Sequence, residues 1–296
     1  VPFTAGTDLG GVRADLGSIP LGGVDTAGVA WALQSLDGWD SAEVRAEFSE
    51  READHGAWAS PVYLGSRPVT LTGTVTAPDR ATLEDALERL RTATSLSDTT
   101  LVVYELTGSK QATVRRSGKP LFAYVTDRIA TYSVLVTAAD PRRYSTTLQS
   151  GTTGLPSTTG GLTFPITFPI TFSAVTVSGQ INAVNGGSMD SRPVLTIAGP
   201  VVAPTISALY ADGSVRQLIY SQDLATGDVL VVDTDAHTVV LNGSVSRRRF
   251  MTVSTGWPTI PAATPNGGPG VINYQFQSGT YNATAMLTAT WRSAWM

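Results

Sequence analysis

The sequence contains no cysteine, which removes disulfides, thiolate metal sites and a cysteine nucleophile together and leaves the redox compartment unreadable. Histidine occurs only as His55 and His237, and lysine only as Lys110 and Lys119. Charged residues make up 15% of the chain, low for a soluble protein, and Thr, Ser and Gly fill the balance, favouring strands and turns over long helices. The net charge of −4 argues against a surface built to grip a nucleic-acid backbone, which needs clustered positive charge. No run of about 18 apolar residues exists to cross a membrane, so membrane insertion is not expected. The opening VPFTAGTDLGG has neither the charged start nor the apolar core of a signal peptide.

What is present is organised around Gly227–Gly243, GDVLVVDTDAHTVVLNG. The apolar runs Val229–Val232 and Val239–Leu241 flank a polar turn, Thr234 to His237, which predicts a β-hairpin. Neither run alternates cleanly, so both faces are expected to be covered, as in the middle of a sandwich. The residues after about Phe172 are expected to pack around this hairpin. They alternate short strands with the turn signals Asn185-Gly186-Gly187, Asp212-Gly213 and Asn242-Gly243.

The first half reads differently. Glu43–Phe48 alternates, with Val44, Ala46 and Phe48 on one side, predicting a half-buried strand, and SEREADHG after it reads as a charged loop. Arg67–Thr76 is the clearest strand, with Val69, Leu71 and Val75 facing one way. Gly73 interrupts that face and marks a bulge or a close backbone approach. Leu83, Ala86, Leu87 and Leu90 then form one helical stripe, capped by Thr76 or Asp79. Further strands are expected at Leu101–Leu106, Gln111–Arg116, Leu121–Asp127 and Ile129–Thr137. The fold class expected is mainly β: a β-rich α+β domain with one helix over 1–144, a linker over 145–172, and a β-sandwich over 173–296. The linker holds the tandem repeat LTFPITFPITF, Leu162–Phe172, whose Pro165 and Pro169 exclude a helix.

No catalytic constellation stands out, and an enzyme is not expected. His55 lies beside Asp54 and His237 near Asp235, but no Gly-x-Ser-x-Gly elbow exists. Asp233 and Asp235 supply two carboxylates, against the six to eight oxygens of a calcium site, and no cofactor or metal site is assigned. Glu84, Asp85 and Glu88 read as the solvated face of the helix. Arg247, Arg248 and Arg249 form the one basic cluster, a surface loop or a contact with an acidic neighbour subunit. Tyr210, Tyr220, Trp257 and Tyr274 lie in or beside sandwich strands. Exposed rings there would stack on sugars, making Trp257, Tyr220 and Tyr210 candidate glycan contacts; in the plainer reading the rings are core.

Several segments together resemble one family. PVYLGSRPVTLTGTVTAPDRATLEDALERLR (Pro61–Arg91), TAADPRRY (Thr137–Tyr144), GGLTFPITFPITF, RPVLTIAGPVVAPTI from Arg192, the central hairpin and TATWRSAWM (Thr288–Met296) are similar, in order and spacing, to the distal tail proteins of long non-contractile-tailed bacteriophages. The resemblance implies a ring-forming first domain and a galectin-like or carbohydrate-binding-module-like sandwich. It implies six copies closing into a ring at the end of the tail tube in the virion. The partners implied are other copies, the tail tube protein and the tail-tip hub or tail-associated lysin, with DNA only passing through. A glycan-binding adhesin acting on host wall sugars through the sandwich is the alternative.

Overall fold

A computed structural model describes residues 13–159 and 175–296. The opening residues and the repeat Leu162–Phe172 lie outside the described residues. The chain forms two compact units that divide between Thr146 and Thr147, and it is mainly β.

The first unit runs β1 (Arg13–Leu16), β2 (Ile19–Leu21), β3 (Gly23–Val24), β4 (Ala30–Asp37), β5 (Val44–Arg45), β6 (Phe48–Glu50), β7 (Ala57–Ala59), β8 (Tyr63–Leu64), β9 (Arg67–Thr76), α1 (Arg80–Ala93), β10 (Thr99–Tyr104), β11 (Lys110–Arg116), β12 (Leu121–Tyr124), β13 (Ile129–Ala138) and β14 (Arg143–Ser145). Its main sheet has the order β2-β1-β10-β11-β13-β9-β4-β3, with β12 beside β13 and β14 beside β11. The alternation read in Arg67–Thr76 is realised in β9: Val69, Leu71 and Val75 are fully buried. Arg67 continues the same face and is buried too, its Nε donating to the Pro141 carbonyl at 2.9 Å and a terminal nitrogen to the Trp39 carbonyl. Burial, and then the nearby charge of Arg143, pull its pKa below the ordinary arginine value.

Gly73 is a close approach. A Cβ there would collide with the Ala32 carbonyl oxygen and the Tyr132 hydroxyl. The register irregularity falls on the partner strand, between Leu33 and Ser35 of β4, directly opposite Gly73 and Thr72. The helix is capped by Asp79, whose carboxylate accepts from the Thr82 amide at 2.9 Å, while Leu83, Ala86, Leu87 and Leu90 are all buried. Arg89 on its flank pairs with Asp85 at 3.0 Å and reaches Asp25 at 2.8 Å.

The second unit runs β15 (Gln149–Gly154), β16 (Ser157–Thr159), β17 (Val175–Val177), β18 (Gln180–Asn185), β19 (Val194–Ala198), β20 (Thr205–Tyr210), β21 (Val215–Tyr220), β22 (Val229–Asp233), β23 (Thr238–Leu241), β24 (Val245–Ser246), a 3-10 turn (Arg248–Phe250), β25 (Met251–Ser254), β26 (Gly270–Gln277), β27 (Met286–Trp291) and β28 (Ala294–Trp295). Two antiparallel sheets, β15-β27-β19-β22-β23-β24 and β18-β26-β20-β21-β25, share one apolar core. Leu195, Leu230 and Leu287 come to it from one sheet, Ile206, Leu218 and Phe276 from the other.

Two expectations change here. The central hairpin forms with Val232 opposite Val239 and Val231 opposite Val240. Only one face is in the core: Leu230, Val232 and Val239 are buried, while Val231 and Val240 are half-covered and Val229 is exposed. A β-branched run serves a strand whether or not its outer face is covered, so composition alone did not separate the cases. The expected linker is partly sheet. Gln149–Gly154 pairs along its whole length with β27, and Ser157–Thr159 pairs with β17. Thr- and Gly-rich sequence resembles linker, yet it suits an edge strand, where one side chain in two faces water.

Asn185, read from sequence as a turn residue, is fully buried. Its amide nitrogen donates to the Met189 and Pro261 carbonyls at 2.7 and 3.0 Å, and its oxygen accepts from the Gly187 and Ala294 amides.

Candidate functional site

The residues with catalytic potential are dispersed and engaged. Asp54 accepts from the backbone amide of His55, and both are exposed. Asp233 accepts from the Asp235 and Ala236 amides at 2.8 and 2.9 Å, an Asx turn closing the hairpin, while Asp235 pairs with Arg192. Glu84, Asp85 and Glu88 pair with Arg80, Arg89 and Arg91 along the outer side of α1. Among the described residues no three His, Asp or Glu side chains gather to hold a metal ion.

The aromatic candidates fare unequally. Tyr220 is 1% exposed and belongs to the sandwich core. Burial pushes its phenol pKa up. Tyr274 is buried as well. Tyr210 is half-buried; its hydroxyl accepts from the Thr259 amide at 3.0 Å, and the Arg216 guanidinium lies 4.9 Å from its ring centre. The Asx turn places His237 at a positive φ of 56°, and its ring stacks on Trp257 with centres 4.8 Å apart and planes 8° apart. Arg248 covers the same indole at 5.0 Å, and Arg216 donates to the Trp257 carbonyl at 2.8 Å. Trp257 and Tyr210 are thus brought into one cluster with His237, Arg216 and Arg248, and their rings are already dressed by protein groups. Tyr220 takes no part in that surface.

A second feature was missed in the sequence. Residues 42–66 form an arm: β5 pairs with β8 and β6 with β7, neither joining the main sheet. Every residue of β6 and β7 is exposed. Phe48 is 68% exposed, Trp58 66% and Tyr63 63%, and Val44 and Val62 are close behind. The expectation of a half-buried strand over Glu43–Phe48 fails here, because the apolar side of the alternation has no core behind it. Arg51 lies 4.5 Å from the centre of the Trp58 ring, and a shallow hollow runs between Val44, Glu47, Pro61 and Tyr63. The available signal was a charged turn bracketed by two aromatic-bearing segments, FSE and AWA, which together spell a hairpin rather than a strand and a loop.

No protein-family model matches the sequence, and no curated protein is significantly similar to it. Solved structures are similar in fold. The Dit protein of phage SPP1, described as a paradigm of the hub adsorption apparatus of phages infecting Gram-positive bacteria, superposes with a TM-score of 0.59 at 10% identity, over 90% of this chain and 93% of that one. This chain is similar in fold to that protein. A chain of the phage P2 baseplate, in its activated conformation with calcium, gives a TM-score of 0.51 at 8% identity, over 94% of this chain and 97% of that one. Both matches run over nearly the whole of this chain, so the likeness in fold takes in residues of both units.

Proposed function

We propose that this protein is a structural subunit of the virion, at the end of a phage tail, and that it works by assembly and not by catalysis. Copies of it close into a ring, six in the family it resembles. The ring joins the tail tube to the tail-tip hub and to the host-recognition proteins, and DNA passes through its centre. The Dit-like fold supports this reading. The observation that carries it is the arm of residues 42–66, which holds Phe48, Trp58 and Tyr63 out in water on a hairpin with no core of its own. Rings of that size dominate protein interfaces when they are buried there. An arm that leaves one copy to lie on a different surface of the next makes a heterologous contact, the kind that closes by rotation.

Native mass spectrometry and negative-stain imaging test the reading. The expected result is a ring, formed by the protein alone or once tail partners are added. The double variant Phe48→Asp, Trp58→Asp is expected to keep the melting temperature of the parent, since neither residue belongs to the core, and to lose the ring. A strict dimer under every condition would count against it.

A further inference from the structure

The arm of residues 42–66 has a counterpart on the first unit itself, matched to it in charge, in apolar area and in backbone. The arm holds five acids against two arginines, and among the described residues only Asp54 of those acids has an ion pair, with Arg51. Its hairpin has a free edge. The Ser60 amide donates to the Glu47 carbonyl at 2.9 Å and the Arg51 amide to that of Gly56 at 3.2 Å. Glu47, Ser49 and Arg51 therefore turn their main-chain groups toward β7, while Phe48 and Glu50 turn theirs away. The counterpart is β12, which pairs with β13 alone. The Val125 amide donates to the Ile129 carbonyl at 2.8 Å, so Leu121, Ala123 and Val125 bond toward β13, and Phe122 and Tyr124 direct their main-chain groups outward. No hydrogen bond among the described residues takes the main-chain groups of Phe48, Glu50, Phe122 or Tyr124. Leu121, Tyr124 and Val125 are exposed. Just before β12 the chain bulges: Ser117 bonds to Leu135 and Leu121 lies opposite Ser133, so Gly118, Lys119 and Pro120 stand against Val134 alone. Lys119 is exposed on that bulge, and neither it nor Arg116 has an ion pair among the described residues. The acids Asp98 and Asp127 are taken by Arg115 and Arg80.

We infer that β6 of one copy adds to the outer edge of β12 of the next, antiparallel, with Ser49 opposite Ala123. This rests on the reading of the arm as a contact between copies, and names the surface that receives it. In that register Phe48 and Glu50 exchange main-chain hydrogen bonds with Tyr124 and Phe122, outward groups meeting outward groups. Trp58, opposite Ser49 in the arm's own hairpin, comes to the face that Leu121 and Val125 leave bare, and Phe48 lies beside Tyr124. The tip of the arm, with Glu50 and Glu52, runs toward Lys119 and Arg116. A parallel arrangement would send those acids away from the cations. A slip of one residue would set outward main-chain groups against groups already bonded to β13. Edge, rings and charges thus select one occupant, a second copy of the same hairpin.

The test uses the full chain, which has no cysteine of its own to compete. Ser49→Cys with Ala123→Cys puts one thiol on the arm and one on the receiving edge, both at exposed positions. Facing residues of a non-hydrogen-bonded antiparallel pair have Cα atoms about 4.5 Å apart, within the reach of a disulfide. Oxidation with diamide is expected to give a ladder of covalent dimers, trimers and larger species on non-reducing gels, because each copy offers a different cysteine to each neighbour. Ser49→Cys with Leu106→Cys, exposed as well but on the turn after β10, is expected to give no ladder. Under reducing conditions the Ser49→Cys, Ala123→Cys variant should melt with the parent. Lys119→Glu is expected to weaken association about five-fold at low salt, and Glu52→Lys added to it to restore most of that loss. A ring in the parent with no covalent species from the Ser49 and Ala123 pair, or none beyond the dimer, would overturn this contact and leave the tail-end reading standing, the arm then lying on another surface or another protein. Equal association of the parent and Lys119→Glu at low salt would also overturn it. Absence of any association in the parent, with and without tail partners, would overturn both.

Discussion

Asp25 shows how much one small side chain organises. One carboxylate oxygen accepts from the Ala27 and Val29 amides, at 2.9 and 3.0 Å, and the other from the Trp31 indole at 3.1 Å and from Arg89 at 2.8 Å. Burial pushes the carboxyl pKa up, but the donors, Trp31 first and then Val29, Arg89 and Ala27, outweigh it and hold the pKa below the ordinary value. A carboxylate whose folded-state pKa is depressed adds stability above its unfolded pKa, near 3.9, and loses it as pH falls through the folded value. Asp25→Asn is therefore expected to cost about 1–3 kcal/mol at neutral pH. The gap to the parent should shrink as pH drops below about 4, read by urea unfolding at a series of pH values. None of this was legible in the sequence, where Asp25 is one acid among turn-rich neighbours. The same holds for Arg67, which occupies an apolar position of a strand pattern because three backbone carbonyls converge there, a three-dimensional fact. Tyr220 sits in a strand of alternating burial, and its period placed it inward more surely than its ring chemistry placed it outward.

Among elements, α1 and β9 were readable because each has a clean period and buries one apolar face in the core. Leu83, Ala86, Leu87 and Leu90 repeat at helical spacing, and Asp79 stands where a cap must stand. Gly73 was readable as a question, a bulge or a close approach, and the structure answers it with Ala32 and Tyr132. Gly73→Ala is expected to abolish folding or to lower the midpoint by more than Leu87→Ala, a cavity substitution worth about 2–5 kcal/mol, because backbone cannot yield as a side chain can. Thermal melts of the two variants side by side give the comparison. The arm defeated the same logic. Periodicity reports that a strand has two different faces; it does not say that the apolar face is buried within the same chain. Val44 and Phe48 alternate as correctly as Val69 and Leu71, and only the presence of a core behind the latter pair separates them.

Over the whole molecule, two β-rich bodies were legible from the change in texture between a helix-bearing half and a turn-punctuated half. Where the second body starts was not, because Gln149–Gly154 has the composition of a tether and the pairing of a strand. A fragment starting at Thr147 is expected to melt in one cooperative transition. One starting at Ser173 lacks β15 and β16, leaves β27 as a bare edge, and is expected to melt lower or to aggregate, as calorimetry and light scattering would show. Asn185 has a consequence of a different kind. It precedes Gly186, a pairing in which the amide readily hydrolyses through a cyclic imide whenever the backbone is free to bend. In the folded unit that backbone is clamped. Conversion to aspartate would leave an anion aimed at the Met189 and Pro261 carbonyls in place of a donor, and Asn185→Asp should destabilise the fragment by about 3 kcal/mol or more. Chains that dwell unfolded would thus carry a slow chemical clock, and those that fold promptly would stop it.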